Sequence, residues 1–399
     1  MSNAFHRDLT RREFTRRSAH ALTLGAMSGS LAATAQTIAA ETSPPRTFRV
    51  WATSDAHVGT DMRHHKRESL AEAIRQSELG EGSPPFEWDI ALHLGDSSGN
   101  QGSPKDDEGE LVVRQFAAAR RHVREQFYNL AGNHDATFAD EKTQWWFRKW
   151  LDPTGENTKH SGVDAKNRPY PVEGTWERYS FRVGNLLFAM MSDRNDVGPP
   201  VGRGERGGYP AGAVTGETFG WWKDLVEQNT DAIIVSAHHH MLKATTVASG
   251  EWEGFVKTEA DVWKPNYHGY FPQGGPMGAS YLYWVDGRPD AQAFENYLTE
   301  HNGAIALWLG GHTHTNPDDR TGGRSHVERK WGVNFANISA LTRCHGHRHS
   351  TPMSRLFTFT DGSSQVRVQC YLHTSQYKPQ GWYQQAERVL ELGKPFRMA

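Results

Sequence analysis

Five short segments hold most of the side chains that could bind a metal or move a proton. They are Asp55-Ala56-His57, Gly95-Asp96, Gly132-Asn133-His134-Asp135, His238-His239-His240 and Gly311-His312-Thr313-His314. Carboxylate, amide and imidazole donors of this kind suit divalent cations and discriminate poorly among Mn²⁺, Fe²⁺ and Zn²⁺ by ligand type alone. In extended chain, residues i and i+2 project to the same side. Asp55 and His57 are therefore expected to reach one cation together, as are His312 and His314 provided that their turn stays extended. Stray pairs are expected in a chain with 21 histidines. An ordered set, mostly placed after apolar runs and beside glycines that admit close backbone approach, is a different matter.

The elements that must position these residues alternate in type. Phe48–Thr53 reads as a strand running into Asp55, Trp88–Leu94 as a strand ending at Gly95-Asp96, and Phe127–Ala131 as a strand entering Gly132. Helical spacing covers Arg67–Leu79 and Glu110–Arg124. This rhythm predicts a layered α/β fold with its site at the carboxyl ends of strands. Further on, Trp176–Val183 and Leu186–Ser192 flank Gly184-Asn185 as a hairpin. Thr218–Gln228 is helical and Ala232–Ser236 is a strand delivering the histidine triplet. Ala291–His301 is a helix, and Ala304–Leu309 the strand before Gly310-Gly311. Strands follow near Val333–Ile338, Arg355–Thr360 and Gln365–Tyr371, then a helix over Tyr383–Leu392. One domain over 41–399 is expected.

Taken as a set, Asp55-x-His57, Gly95-Asp96, Gly132-Asn133-His134-Asp135, the histidine near 238 and Gly311-His312-x-His314 resemble the signature of the calcineurin-like metallophosphoesterases. The resemblance spans roughly residues 47–340. It implies a four-layer αββα sandwich, two mixed β-sheets flanked by helices, and a centre of two divalent metal ions. By that pattern Asp55, His57, Asp96 and His314 hold the first ion, Asp96 bridges, and Asn133, His238 and His312 complete the second. His238 is preferred in the triplet, with His239 second, because the family's histidine commonly stands two residues before a proline and His240 occupies that place. Strand alternation does not decide the matter, since both faces of this strand read as buried. Two such ions would clamp an in-line displacement at phosphorus and generate a bridging hydroxide as the nucleophile. His134 is expected to protonate the leaving alkoxide, with Asp135 orienting its ring. Purple acid phosphatases carry a tyrosine three residues after the bridging aspartate, where Gly99 stands here, so a tyrosinate-bound ferric site is not expected. The activity implied is hydrolysis of a phosphomonoester or phosphodiester. The competing class is a non-catalytic metal-binding envelope protein of the same fold. No His-Glu-x-x-His helix supports a zinc peptidase.

Substrate determinants are less sharply written. The aromatic-rich insertion at 242–289 is either a lid over the site or the plug of a secondary core. Arg203 and Arg206, in a glycine-rich loop, have guanidiniums suited to phosphate or else lie on a solvated surface. His345 and His347 follow a strand that should end near the metals, and bind a further cation, contact substrate or sit in an exposed polar turn.

Composition bounds the partners. The 399 residues carry a formal net charge of −2, which argues against a broad surface for nucleic acid. Thr10-Arg11-Arg12-Glu13-Phe14-Thr15 resembles a twin-arginine export signal, followed by a weakly apolar stretch over Ala21–Ala35. Residues 1–40 are thus expected to engage the Tat export machinery and to be removed, placing the protein in the periplasm or outside the cell. The stretch is too short and polar for a membrane span, which needs about 20 mostly apolar residues. Cys344 and Cys370 are either one disulfide or two separate thiols.

Overall fold

The computed structural model describes residues 44–398, apart from 101, 136–140, 195–211, 251–253, 258–262, 267–279, 344–349 and 374–379. Pro45–Ala399 makes one compact unit. Two seven-stranded sheets carry the fold. In the first, Thr47–Thr53, Ile90–Leu94 and Phe127–Leu130 run parallel. Met353–Thr360 pairs antiparallel with Thr47–Thr53, and Gln365–Leu372 pairs antiparallel with Met353–Thr360. In the second, Leu186–Met191, Ile233–His238, Leu307–Gly310 and Val333–Asn337 are parallel neighbours. Antiparallel strands flank them on both sides, Val327–Lys330 at one edge, Arg178–Val183 and then Glu173–Gly174 at the other.

Strand alternation explains the layering. Val50 and Ala52 face the core between the sheets, while Trp51 between them points into the outer helical layer. In the second sheet Val235 and Leu309 enter the same central core, and Ile234 and Trp308 face outward. Both faces are apolar because both are covered, as buried parallel strands require. Ser69–Leu79, Asp106–Phe116 and Glu141–Trp150 cover the first sheet through Leu70, Ile74, Val112, Phe116, Phe147 and Trp150. Gly216–Gln228 and Ala293–Glu300 cover the second through Trp222, Val226, Phe294 and Leu298. The expected four-layer αββα sandwich is the observed architecture.

Three elements differ from expectation. The helix read over Glu110–Arg124 spans Asp106–Phe116, beginning on acidic residues that suit its N-terminal dipole. The chain then turns so that the Glu78 carboxylate accepts the amides of Arg120 and Arg121. The expected C-terminal helix is a strand, Arg388–Glu391, paired with Gln365–Val368. Period-2 spacing brings Leu390 and Leu392 to the central core, and that packing overrides helical propensity. In the 242–289 insertion, Leu282–Val285 pairs parallel with Gly212–Val214, and Tyr281 and Trp284 plug a small core with Ala213. The side chains of the remaining aromatics over 251–279 lie outside the described residues.

Trp51 is fully buried, with its indole N–H donated to Ser354 Oγ at 2.8 Å. Trp51→Ala should lower unfolding free energy by about 3–5 kcal/mol in urea melts. Val389→Ala, at an exposed position, should stay within about 0.5 kcal/mol.

Candidate metal centre

Seven parallel strands end toward one region, and the loops that leave them carry the donors. The loop after Thr53 runs beside the loop after Leu94: Asp55 N–H donates to Gly95 O at 3.0 Å, His57 N–H to Asp96 O at 3.0 Å and Val58 N–H to Ser97 O at 2.8 Å. The two sheets are tied by Asp193 N–H donating to Ala131 O at 2.8 Å. The turn holding His312 and His314 is pinned from Ser339, whose Oγ takes the Thr315 amide at 3.1 Å and donates toward Thr313 O at 3.2 Å.

The extended strand ends expected of Asp55-x-His57 and His312-x-His314 are not found. Asp55, His57, Asp96 and His312 have φ of 53°, 46°, 54° and 66°. Left-handed backbone costs a non-glycine residue about 1–2 kcal/mol. Four such residues in one site are strain held by the surrounding fold, and it is spent turning donors inward that extended chain would point apart.

The donors converge. Asp55 Oδ1 lies 3.1 Å from His314 Nε2 and 3.6 Å from His57 Nε2, and the two Nε2 atoms are 3.2 Å apart. Asp96 Oδ2 is 3.7 Å from His57 Nε2 and 3.2 Å from His239 Nε2. Asn133 Oδ1 and His312 Nδ1 are 3.1 Å apart. Ligands bonded at about 2.1 Å to one cation stand roughly 3.0–3.4 Å from each other; the separations of 3.1 and 3.2 Å match the edges of such a shell, and those of 3.6 and 3.7 Å to His57 are wider. The buried Nε2 of His312 has no hydrogen-bond partner among the described residues. His239 Nδ1 donates to Leu94 O at 2.7 Å, and its Nε2 faces the Asp96 carboxylate at 3.2 Å. Grouped by proximity, Asp55–His57–His314, His57–Asp96–His134, Asp55–Asp96–His239 and His239–His240–His312 could each hold a metal ion.

Charge explains why a cation belongs here. Asp55 and Asp96 are buried. Burial works to raise both carboxyls, but the His239 charge, with His314 and His57 at Asp55 and His134 at Asp96, holds each well below the ordinary carboxylate range. Burial pulls His239 down, and the two carboxylates outweigh it, pushing the ring up to about 10. The His239 proton thus stands in for cationic charge. His312, pressed down to about 3 by burial and by His239, stays neutral.

A family model described as calcineurin-like phosphoesterase matches residues 48–316. The chain belongs to this family. No curated protein matches it. Among solved structures it is similar to a conserved uncharacterized protein, a predicted phosphoesterase, from Streptococcus pneumoniae, at 10% identity and a TM-score of 0.31, covering 87% of this chain and 98% of that one. It is similar also to vacuolar protein sorting 29 from Cryptosporidium parvum, at 9% identity and a TM-score of 0.32 over 86% and 98% of the two chains. For Vps29 from Entamoeba histolytica the figures are 12%, 0.31, 86% and 99%.

Within this phosphoesterase fold, the expected residues Asp55, His57, Asp96, Asn133, His134, His312 and His314 gather at one place. His238 does not. Its Nδ1 accepts the His240 amide at 3.0 Å and its Nε2 faces Asp193 Oδ1 at 3.8 Å, so His239 supplies the triplet's donor to Asp96. His238 is the last residue of its strand, and the inward turn comes one residue later. Asp135 does not orient His134 as expected. Its oxygens accept the amides of Gly132, Ser97 and Ser98 at 3.0, 3.2 and 2.8 Å. Burial and the Asp96 charge push its carboxyl up to about 7 against the pull of those amides. The His134 ring is held instead by Asn100 O, 2.6 Å from Nδ1. Arg203, Arg206, His345, His347 and Cys344 lie outside the described residues, and Cys370 is a buried free thiol.

Two supports were not anticipated. Glu108, buried and raised by desolvation, accepts Ser98 Oγ–H at 2.9 Å and the Gly99 amide at 2.8 Å, shaping the loop after Asp96. Asp193 accepts the Ala213 amide at 2.7 Å beneath the histidine triplet. Its signal was present, an apolar run, Leu186–Met191, ending in an acid, as at Asp55 and Asp96.

A cation bound through His239 Nε2 would displace the proton held there. Affinity should therefore rise with pH, by about tenfold per unit between pH 6 and 8 for one displaced proton. Calorimetry in buffers of different ionisation enthalpy checks it, and an affinity flat over that range defeats it. A side chain at Gly132 would collide with the carboxylate and amide of Asp96. Gly132→Ala should fold and lose metal affinity by at least about tenfold in metal titrations.

Proposed function

We propose that this calcineurin-like protein is an exported phosphoesterase that cleaves a phosphomonoester or phosphodiester with the help of two divalent cations drawn from Mn, Fe and Zn. The observation that carries this reading is the packing of two buried carboxylates and an amide oxygen against inward-turned imidazoles at coordination-edge separations. The first cation would be held by Asp55, His57, Asp96 and His314, and the second by Asp96, Asn133, His239 and His312. When bound, such ions polarise a phosphoryl oxygen and bring the pKa of a bridging water toward neutrality. The rest is the work of this chain's own residues.

His134 is the proton donor. Its Nδ1 is tied to Asn100 O, so Nε2, 3.9 Å from Asp96 Oδ2, is the atom that faces the centre. From there it steadies phosphoryl oxygens and delivers a proton to the departing alkoxide. His134 N–H also donates to Asp96 Oδ1 at 2.9 Å, which fixes the donor relative to the shared carboxylate. Asp135 acts through the backbone: it locks the loop bearing Asp96 to the turn bearing Asn133 and His134. The arginine pair near residues 11–12 supports export by the twin-arginine route, which carries folded proteins and would suit a chain that takes up its ions first. Among the described residues no helix is long and apolar enough to cross a membrane.

Chelation should abolish hydrolysis of nitrophenyl phosphate mono- and diesters, and re-addition of Mn²⁺, Fe²⁺ or Zn²⁺ should restore it; no restoration with any ion defeats the reading. His134→Ala should retain its metals while kcat falls about 10²–10⁴-fold. Full turnover in that variant would remove the acid role.

A further inference from the structure

The His134 ring is set by a backbone carbonyl, and that carbonyl is set by a buried acid from another element. His134 Nδ1 lies 2.6 Å from Asn100 O, and the ring meets His57 edge-on, with centroids 4.8 Å apart and planes at 82°. A carbonyl oxygen only accepts, so Nδ1 carries the hydrogen of this bond and the ring cannot turn over without losing it. Asn100 lies in the loop after Asp96. A loop carbonyl holds a ring only as firmly as the loop itself is held.

Glu108 does the holding. It stands in the first turn of the helix Asp106–Phe116 and is buried. One oxygen, Oε1, gathers three donors from the loop: Ser98 Oγ–H at 2.9 Å, the Gly99 amide at 2.8 Å and the Asn100 amide at 3.2 Å. Bonds to an ionised acceptor are roughly twice as strong as neutral ones. The Asn100 side chain closes the turn by accepting the Gly102 amide at 3.1 Å. Two glycines make room for the arrangement. A side chain at Gly59 would meet Glu108 Oε1 at 2.9 Å, and one at Gly99 would strike Thr60 and His57 O. The helix is fixed in turn, since Val112 and Phe116 enter the outer core of the first sheet and Lys105 O accepts the Trp146 indole N–H at 2.7 Å.

Resting on the reading of His134 as the proton donor, we propose that Glu108 is a positioning residue for that proton transfer. It fixes the Asn100 carbonyl, the carbonyl fixes the His134 ring, and Nε2 is kept facing the centre, 3.9 Å from Asp96 Oδ2. In the step it serves, the P–O bond breaks with its electron pair going to the leaving oxygen. That oxygen takes the proton from Nε2, and His134 is left neutral. Without Glu108 three donors lose their acceptor and Asn100 is free to shift. A misplacement of about 1 Å can cost about 10²-fold in rate. The cost falls on leaving groups that need a proton and largely spares those that depart as stable anions.

Phenyl and nitrophenyl phosphate differ chiefly in how much the leaving oxygen needs a proton, so the ratio of their kcat values reads the donor. Glu108→Ala should lose about 10–100-fold with the phenyl ester and at least about fivefold less with the nitrophenyl ester. Its metal content by mass spectrometry should match wild type. His134→Ala should move the ratio the same way, and the double variant should lose no more than His134→Ala alone. Glu108→Gln keeps an acceptor oxygen in place and should recover most of the ratio. Should the alanine variant not fold, Glu108→Asp takes its place, because it keeps the charge and withdraws the oxygen. A readout free of turnover is the His134 imidazole N–H proton in NMR of the Zn²⁺-loaded protein, identified by its loss in His134→Ala. Its exchange with solvent should quicken by at least about tenfold in the Glu108 variant. Equal losses on both esters, loss of metal together with activity, or unchanged N–H exchange beside an impaired His134→Ala overturns the proposal. The reading it rests on fails separately, when His134→Ala itself keeps full turnover.

Discussion

Two carboxylates, Asp55 and Asp96, are buried side by side in a protein interior, and much of the architecture around them exists to make that tolerable. Burying ionised groups is costly unless they are paired and hydrogen-bonded. Here the compensation comes from amides, imidazoles and one proton. His312 N–H donates to Asp55 Oδ2 at 2.8 Å and His134 N–H to Asp96 Oδ1 at 2.9 Å. His239 carries the proton. The arrangement is electrostatically short of positive charge, which is the setting in which a cation is bound favourably.

The sandwich is what lets donors from distant parts of the chain meet. Parallel strands of one sheet deliver Asp55, Asp96 and Asn133, and those of the other deliver Asp193, His239, His312 and the Asn337–Ser339 turn that braces the histidine loop. A single sheet would offer donors from one side only. Two sheets packed over Val50, Leu92, Val235 and Leu309 bring two rows of strand ends together. Glycines at 132 and 311 permit the last approach, since a side chain at 311 would strike Ser54 and the Asp55 carboxylate.

Much of this was legible in the sequence because apolar runs and the residues that follow them obey simple rules. The strands leading to Asp55, Asp96, Asn133 and His312 were read within a few residues, and the donor types were plain. What escaped reading has a common cause. His238 and His239 sit where a strand buried on both faces gives way to a turn, so alternation carries no phase and a one-residue error reverses the assignment. The left-handed backbone at Asp55, His57, Asp96 and His312 is dictated by tertiary contacts, and no propensity announces it at such residues. Asp135 stands next to His134 in the sequence, yet adjacency along the chain says little about which way a carboxylate turns. The Arg388–Glu391 segment has composition fit for a helix and becomes a strand because Gln365–Val368 offers it an open edge.

The Asp135 carboxylate, gripping the amides of Ser97, Ser98 and Gly132, welds two loops that the His134 N–H to Asp96 bond also joins. The separation between the donors on those loops is then a property of the polypeptide, set by its own hydrogen bonds. Ions of similar radius should exchange into such a frame with little rearrangement, and chemical identity at the centre becomes a matter of supply in the compartment where the chain folds.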